Sequence, residues 1–157
     1  MKIGALLLYA FIFIGVIALY QYTKVWALQL PESGIHIMSF LTLVPTFNSG
    51  ISWGMFHQEQ VTSLWLLTLI VLVISLLMLY IARRLAHNHW ILPEVLVLAG
   101  ACSNFADRIH YGAVVDFIRF SWHDWAFPYF NVADAAIVVG VIGMLLYTLY
   151  IERHELA

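Results

Sequence analysis

Residues 130–140 read FNVADAAIVVG, and residues 141–151 continue the segment without a charged side chain. An apolar run of this length is typical of a helix that crosses a bilayer. It nevertheless begins with an asparagine and an aspartate. Asn131 suits the N-cap position, and Asp134 lies where a capping box places its acidic residue. Capping is one explanation of the pair, and a functional role for Asp134 is the other.

The composition is that of an integral membrane protein. Of the 157 residues, 63% are hydrophobic and 10% are charged, whereas a soluble domain carries about 25% charged residues. The net charge of -2, without any basic run, gives no electrostatic footprint for nucleic acid. The single cysteine, Cys102, excludes an internal disulfide and a metal site built from several cysteines.

Four apolar segments are predicted to be transmembrane helices within one domain that spans residues 1–157. They lie at about residues 3–23, 61–82, 90–108 and 132–151. With four spans, both termini fall on the same side as Arg83 and Arg84. The excess of basic residues on that side places the termini in the cytoplasm.

Two long connections remain on the outer side. The first, at about residues 25–58, is rich in β-branched and aromatic residues with interspersed glycines, which predicts a small sheet. The second is predicted to begin as an extended or turn segment at residues 112–117 and to form a short interfacial helix at about residues 121–128. The predicted fold is therefore an all-α membrane protein with a small extracytoplasmic sheet and an interfacial helix.

Polar side chains gather at one level, near the outer ends of the last two helices. They are Asn48, Asn104, Asp107, Arg108, Asp116, Asn131 and Asp134. Ionisable groups at a membrane edge are costly, so each is a functional candidate. Asp107 beside Arg108 has a structural explanation, an ion-pair network that fixes the loop. Asp116 is flanked by apolar residues and needs a partner, because a buried charge without one costs several kcal/mol.

A catalytic pair is one interpretation of Asp116 and Asp134. If they face each other, repulsion keeps both from ionising at neutral pH and they share a proton, as in aspartic proteases. Two isolated carboxylates are equally compatible with helix caps, ion pairs or a proton path. The seven histidines are scattered, and His87 and His89 lack carboxylates or cysteines at metal-ligand spacing, so no metal and no cofactor is predicted.

Two blocks carry a family resemblance. SNFADRIHYGAVVDFI, at residues 103–118, followed by FNVADAAIVVG resembles the paired signature of bacterial lipoprotein signal peptidase, also called signal peptidase II. This is a family of intramembrane aspartic peptidases with four transmembrane helices and an extracytoplasmic β-cradle. The resemblance covers essentially the whole chain. It implies that Asp116 and Asp134 form the catalytic dyad, and it implies supporting roles for Asn48, Gly50, Asn104, Asp107, Arg108 and Asn131.

The resemblance also implies a reaction. The family cleaves prolipoproteins on the N-terminal side of a diacylglyceryl-modified cysteine at the outer face of the bacterial inner membrane, without a metal, and globomycin inhibits it. We therefore expect prolipoproteins, membrane lipids and globomycin-type inhibitors as partners of a monomeric enzyme. Two residues depart from the family pattern: Tyr20 replaces the usual aspartate before Gln21, and Ser103 replaces the usual glycine before Asn104.

One alternative function comes from another class. A small proton-coupled transporter or channel subunit would use Asp107, Asp116 and Asp134 as a relay. A relay needs ionisable groups at several depths, whereas these gather at one end of the helices. A purely structural membrane protein, in which the polar residues only cap and pair, is the third interpretation.

Overall fold

The structure is a computed structural model that describes residues 3–49 and 60–155. Four helices and four strands follow one another along the chain. They are α1 (Ile3–Ala27), β1 (Ile35–Met38), β2 (Leu41–Asn48), α2 (Gln60–Ala86), α3 (Leu92–Tyr111), β3 (Val114–Trp122), β4 (Trp125–Ala126) and α4 (Val132–Glu155). The described protein is thus mostly helical with a small antiparallel sheet.

Within the described residues, three helices are long and apolar enough to cross a membrane by length and composition. These segments are Ile3–Ala27, Leu67–Ala86 and Val132–Tyr150. Many of their outward-facing leucine, isoleucine and valine side chains are exposed. Apolar surface of this extent indicates contact with lipid rather than water.

Helix α3 occupies the centre of the helical bundle and packs against α1, α2 and α4. Its contact with α4 is close because two glycines lie in it. A Cβ on Gly100 would come within 2.4 Å of Ala133 O, and one on Gly140 within 2.6 Å of Pro93 O. Since α3 faces protein on several sides, it can carry polar residues such as Glu94 and Asp107 in buried positions.

The four strands form one antiparallel sheet in the order β1-β2-β3-β4. Strand β2 pairs with β3, and its register shifts between Leu43 and Thr46. Pro45 lies within that irregularity and lacks the N–H that a regular ladder uses. After the shift, Thr46 pairs with Asp116 and Asn48 pairs with Val114. The sheet therefore holds Asp116 beside the end of β2.

The predicted interfacial helix at about residues 121–128 is wrong. These residues complete β3, turn, and return as β4, with Trp122 paired to Trp125. His123 in the turn has a φ of 52°, in the left-handed region that tight hairpin turns use. Phe127 N donates to Phe120 O at 2.8 Å. The aromatic residues that suggested an amphipathic helix are the β-favouring residues of a hairpin.

A buried ion pair joins the helices at the end of the bundle away from the sheet. Arg84 Nε lies 2.9 Å from Glu94 Oε1, and Arg84 Nη2 donates to Trp90 O at 2.8 Å. The guanidinium also lies 4.9 Å from the ring centroid of Tyr147. Through Arg84, α2 contacts both α3 and α4.

Candidate active site

Helix α4 begins with a reciprocal cap. Asp134 N donates to Asn131 Oδ1 at 3.0 Å, and Asn131 N donates to Asp134 Oδ2 at 3.1 Å. Each side chain satisfies a backbone N–H of the other residue, as in a capping box. The predicted capping role is confirmed, and it fixes the Asp134 carboxyl in the first turn of α4.

Asp116 lies on β3 and is 1% exposed. Two amide groups donate to its carboxyl group. Asn48 Nδ2, at the end of β2, lies 3.0 Å from Asp116 Oδ2. Asn131 Nδ2 lies 2.8 Å from Asp116 Oδ1. Asn131 therefore contacts both aspartates, Asp134 by its backbone N–H and side-chain oxygen and Asp116 by its side-chain N–H.

Asn104 on α3 completes the link between the two carboxyl groups. Its Nδ2 donates to Asp134 Oδ1 at 2.7 Å, and its Oδ1 accepts from Asn131 Nδ2 at 3.1 Å. The Asp116 and Asp134 side chains also interact directly with each other. Two carboxyl groups from separate elements thus meet in a buried network of asparagines.

The environment of Asp116 favours a proton on this pair. Burial raises the pKa of Asp116 to about 7, and the negative charge of Asp134 contributes in the same direction. Hydrogen bonds from Asn48 and Asn131 and the charge of Arg108 oppose this rise in the Asp116 pKa. Near neutral pH the pair can therefore hold one proton between two carboxyl groups, and the proton belongs to the pair.

Two charged residues of α3 lie on either side of this network. Arg108 Nη1 lies 3.3 Å from Asn104 O, and its charge acts on Asp116. Asp107 forms its ion pair with Lys24 on α1, with Nζ 2.7 Å from Oδ1. The ion pair that Asp107 makes therefore joins α1 to α3.

Most of the predicted site residues converge in space. Asn48, Asn104, Asn131 and Arg108 lie around the two aspartates, while Gly50 lies outside the described residues. Sequence reasoning assigned no role to Tyr20, whose hydroxyl donates to Asp107. Its spacing of four from Lys24 was the available signal, because residues four apart share a helix face.

An apolar groove opens beside Asp134. Its volume is about 550 Å³, and it runs between the segment before α4 and the first turns of that helix. It is lined by Phe127, Pro128, Tyr129, Phe130, Asp134, Ala135, Ile137, Val138 and Val139. One end of the groove thus meets a carboxyl of the pair, and the other follows the lipid-facing side of α4.

No metal site is evident in the part of the chain that the structure describes. Within residues 3–49 and 60–155, no three histidine, cysteine, aspartate or glutamate side chains are grouped so that they could hold a metal ion. The described chemistry is that of two carboxyl groups, three amides and a guanidinium.

Comparison with known proteins identifies the family. The sequence profile described as Signal peptidase (SPase) II matches residues 12–150. A lipoprotein signal peptidase of Xanthomonas oryzae pv. oryzae is 38% identical over 140 residues, 86% of this chain and 84% of the relative. A lipoprotein signal peptidase of Listeria monocytogenes serotype 4a is 36% identical over 150 residues, 92% of this chain and 95% of the relative.

Two solved structures share the fold. Both are described as bacterial membrane enzymes determined by the in meso method, at 2.3 Å and 1.9 Å resolution, and both are 26% identical to this chain. The first has a TM-score of 0.80 over 94% of this chain and 89% of its own. The second has a TM-score of 0.78 over 94% of each chain. The family profile and the curated relatives confirm the resemblance, and the chain belongs to the signal peptidase II family.

Proposed function

We propose that this chain is an aspartic endopeptidase that removes signal peptides from diacylglyceryl-modified prolipoproteins by cleaving on the N-terminal side of the lipidated cysteine. Membership of the signal peptidase II family supports the peptidase activity. The observation that carries the mechanism is the link between Asp116 and Asp134 through the buried Asn131. Aspartic proteases hydrolyse peptide bonds with two such carboxyl groups that share one proton.

The chemistry follows from one shared proton. The ionised carboxyl takes a proton from water, which attacks the scissile carbonyl, while the protonated carboxyl donates to the carbonyl oxygen. The tetrahedral intermediate then collapses as a proton passes to the leaving amine. No covalent bond to the enzyme forms.

The surrounding asparagines leave the pair free to react. Each carboxyl oxygen of Asp116 and Asp134 receives one hydrogen bond from Asn48, Asn104 or Asn131. An ionised carboxyl oxygen has lone pairs for more than one such bond. The remaining lone pairs can accept from water, while the amides keep the carboxyl planes fixed.

Other residues have supporting roles in this proposal. Arg108 lies beside the pair and would bind a carbonyl of the substrate backbone, because a guanidinium donates several hydrogen bonds in a fixed fork. Asn48, at the end of β2, would orient Asp116 through its amide, and Gly50, which lies outside the described residues, would have the supporting role that the family resemblance implies. Asp107, on α3, supports β3 by accepting a hydrogen bond from Val115 N.

We further propose that α3 is a fourth transmembrane helix in a single domain of residues 1–157. It packs between three helices that are each apolar enough to span, so its polar residues need not face lipid. Both termini would then be cytoplasmic, and the pair would lie near the outer face of the bacterial inner membrane. The enzyme would act as a monomer.

The groove beside Asp134 supports lateral entry of a membrane-borne substrate. Its walls are mostly apolar, and Val138 and Val139 on α4 are exposed toward the surrounding lipid. A lipidated substrate could keep its acyl chains in an apolar environment while its peptide bond reaches the carboxyl. Membrane lipids and globomycin-type cyclic peptides are the other ligands that this site would meet.

The positions of charged residues do not support a proton relay. In the described helices, the acidic residues lie near the sheet or at the opposite end, where Glu94 pairs with Arg84 and where Glu152 and Glu155 end α4. The intervening turns of the helices contain none. A transporter or channel subunit would need intermediate groups to carry protons across.

The deciding experiment uses purified protein and a diacylglyceryl-modified prolipoprotein. We expect cleavage by wild type and a loss of at least about 100-fold in Asp116→Asn and Asp134→Asn, since each removes an acid–base group. Asp124→Asn is the matched control, because Asp124 lies exposed in the β3–β4 turn, and it should cleave normally. If folded Asp116→Asn or Asp134→Asn cut at the wild-type rate, the dyad assignment would be wrong.

A further inference from the structure

A second buried polar cluster contacts the residue that precedes Asp116 in the chain. It consists of Tyr20 and Lys24 on α1 and Asp107 on α3, which are 0%, 4% and 1% exposed. Tyr20 and Lys24 are one helical turn apart and face the same neighbour. Three polar residues buried this completely must satisfy one another, because unpaired buried polar groups are destabilising.

Each oxygen of the Asp107 carboxylate has a donor. Oδ1 accepts from Lys24 Nζ at 2.7 Å. Oδ2 accepts from the Tyr20 hydroxyl and from Val115 N, the latter at 3.1 Å. Tyr20 therefore supplies one of three donors that fix the position of the Asp107 carboxyl group.

Tyr20 contacts the cation of the cluster as well. Lys24 Nζ lies 5.3 Å from the ring centroid of Tyr20 and 5.2 Å from that of Tyr111. A cation at this distance from an aromatic face is stabilised by the ring. One neutral side chain thus binds both members of the Lys24–Asp107 ion pair without adding charge to it.

The cluster contacts the active site through the backbone of one residue, Val115. Val115 immediately precedes Asp116, and its N–H is held by Asp107 Oδ2. Val115 O lies 3.4 Å from both the Tyr20 hydroxyl and Asn131 Nδ2. The backbone before Asp116 is therefore fixed by side chains of α1 and α3 and by Asn131. A shift of this backbone would displace the Asp116 carboxyl relative to Asp134.

We infer that Tyr20 is a positioning residue that acts through Asp107 and the Val115 backbone to hold Asp116 in its reactive orientation. The inference rests on the proposed function, because it assigns a role in the same reaction. The hydrogen bonds of Tyr20 run to Asp107 and Val115, whereas the dyad is bound by asparagines. Removal of the Tyr20 hydroxyl should therefore lower kcat more than it raises KM, because the hydroxyl acts on the position of Asp116.

The first test is Tyr20→Phe, which removes one hydroxyl and keeps the ring. We expect kcat to fall roughly 10-fold, because small displacements of a reacting group are costly, while KM stays within about 2-fold of wild type. Tyr9→Phe is the matched control. Tyr9 is also a buried tyrosine of α1, but it packs with Ile81 and Val95 at the other end of the bundle, and its loss of a hydroxyl should leave kcat unchanged.

A double-mutant cycle separates positioning from packing. Asp107→Asn should lower kcat in the same way, and Tyr20→Phe should cause almost no further loss in that background, because both act through one contact. An equal loss in both backgrounds would overturn the inference. So would a Tyr20→Phe enzyme that unfolds at a lower temperature but keeps the wild-type kcat. Wild type that fails to cleave would overturn the proposed function, whereas full activity in Tyr20→Phe would overturn only this inference.

Discussion

Asn131 caps helix α4 and also contacts both aspartates. It is fully buried, and its backbone N–H and side-chain oxygen make the reciprocal cap with Asp134. Its side-chain N–H is left to bind Asp116. An amide is required for both contacts, because an aspartate at this position has no N–H to donate to Asp116. Helix capping therefore positions Asp134, and the same side chain sets its distance from Asp116.

The raised pKa of Asp116 predicts a falling rate in alkaline solution. With the Asp116 pKa near 7, raising the pH above neutrality removes the one proton that the pair needs. We expect kcat/KM to fall about tenfold per pH unit on this side, as a single essential proton requires. Initial rates between about pH 5 and 9 measure it.

Asn48→Ala provides a variant for the same pH profile. The hydrogen bond from Asn48 lowers the pKa of Asp116, so its loss should move the alkaline limb of the rate profile to higher pH.

The free energy of unfolding of the wild-type protein gives an independent measure of the Asp116 pKa. Because the Asp116 pKa is raised from 3.8 in the folded state, the free energy of unfolding should decrease as pH rises from about 4 to 7. A wild-type rate that is flat up to pH 9 would contradict the assignment.

At the scale of elements, the crossing of α3 and α4 sets the position of α4, whose first turn carries Asp134. Gly100 lies where a Cβ would meet Ala133 O at 2.4 Å and Ile137 Cγ1 at 2.7 Å. Ala133 directly precedes Asp134. Gly100→Ala should therefore push the start of α4 away from α3, destabilise the fold by roughly 1–3 kcal/mol, and lower kcat. Thermal unfolding in detergent and the cleavage rate measure the two effects.

Gly15→Ala is the control for this substitution. Gly15 is also in a helix, α1, but a Cβ there would meet nothing within 4 Å. Alanine favours a helix over glycine by roughly 1 kcal/mol, so Gly15→Ala should be neutral or slightly stabilising and fully active. Equal behaviour of the two variants would show that the α3–α4 crossing is looser than the glycine contacts indicate.

The elements differ in how far sequence could predict them. The apolar runs of α1, α2 and α4 are long enough to indicate helices, because few structures other than a membrane helix accommodate such runs. The prediction for residues 121–128 was wrong because their aromatic pattern fits both a hairpin and an interfacial helix. The pairing of β4 with β3 selects the hairpin. Strands β2 and β3 are separated by more than 60 residues. Their pairing therefore depends on long-range contacts that no local pattern reveals.

The candidate site, like the fold, could be predicted only in part from the sequence. Asp116 and Asp134 stand out because charges are rare in such apolar surroundings, and the family resemblance paired them. The contact of Tyr20 with Asp107 was not predicted, and the spacing of four between Tyr20 and Lys24 was too weak a signal to reveal it. A tyrosine near the end of a membrane helix is commonly an interfacial anchor, and its inward orientation follows only from how α1 packs on α3.

At the scale of the whole molecule, charge is divided between the two ends of the bundle. The dyad, Lys24 and Asp107 lie at the sheet end, and the Arg84–Glu94 pair lies at the other. The α2–α3 connection belongs to the end that holds Arg84. If α3 spans the membrane, this connection and the β3–β4 turn lie on opposite sides, because α3 separates them in the chain.

Cysteine labelling tests that arrangement. In a Cys102→Ser background, which removes the only cysteine, Asp124→Cys places a thiol in the β3–β4 turn and His87→Cys places one after α2. Both positions are exposed. A membrane-impermeant maleimide applied to intact spheroplasts should label Asp124→Cys, and His87→Cys should react only after lysis. Basic residues near the α2 end favour the cytoplasm, which sets this direction. The reverse pattern would invert the orientation, whereas labelling of both from outside would show that α3 does not cross.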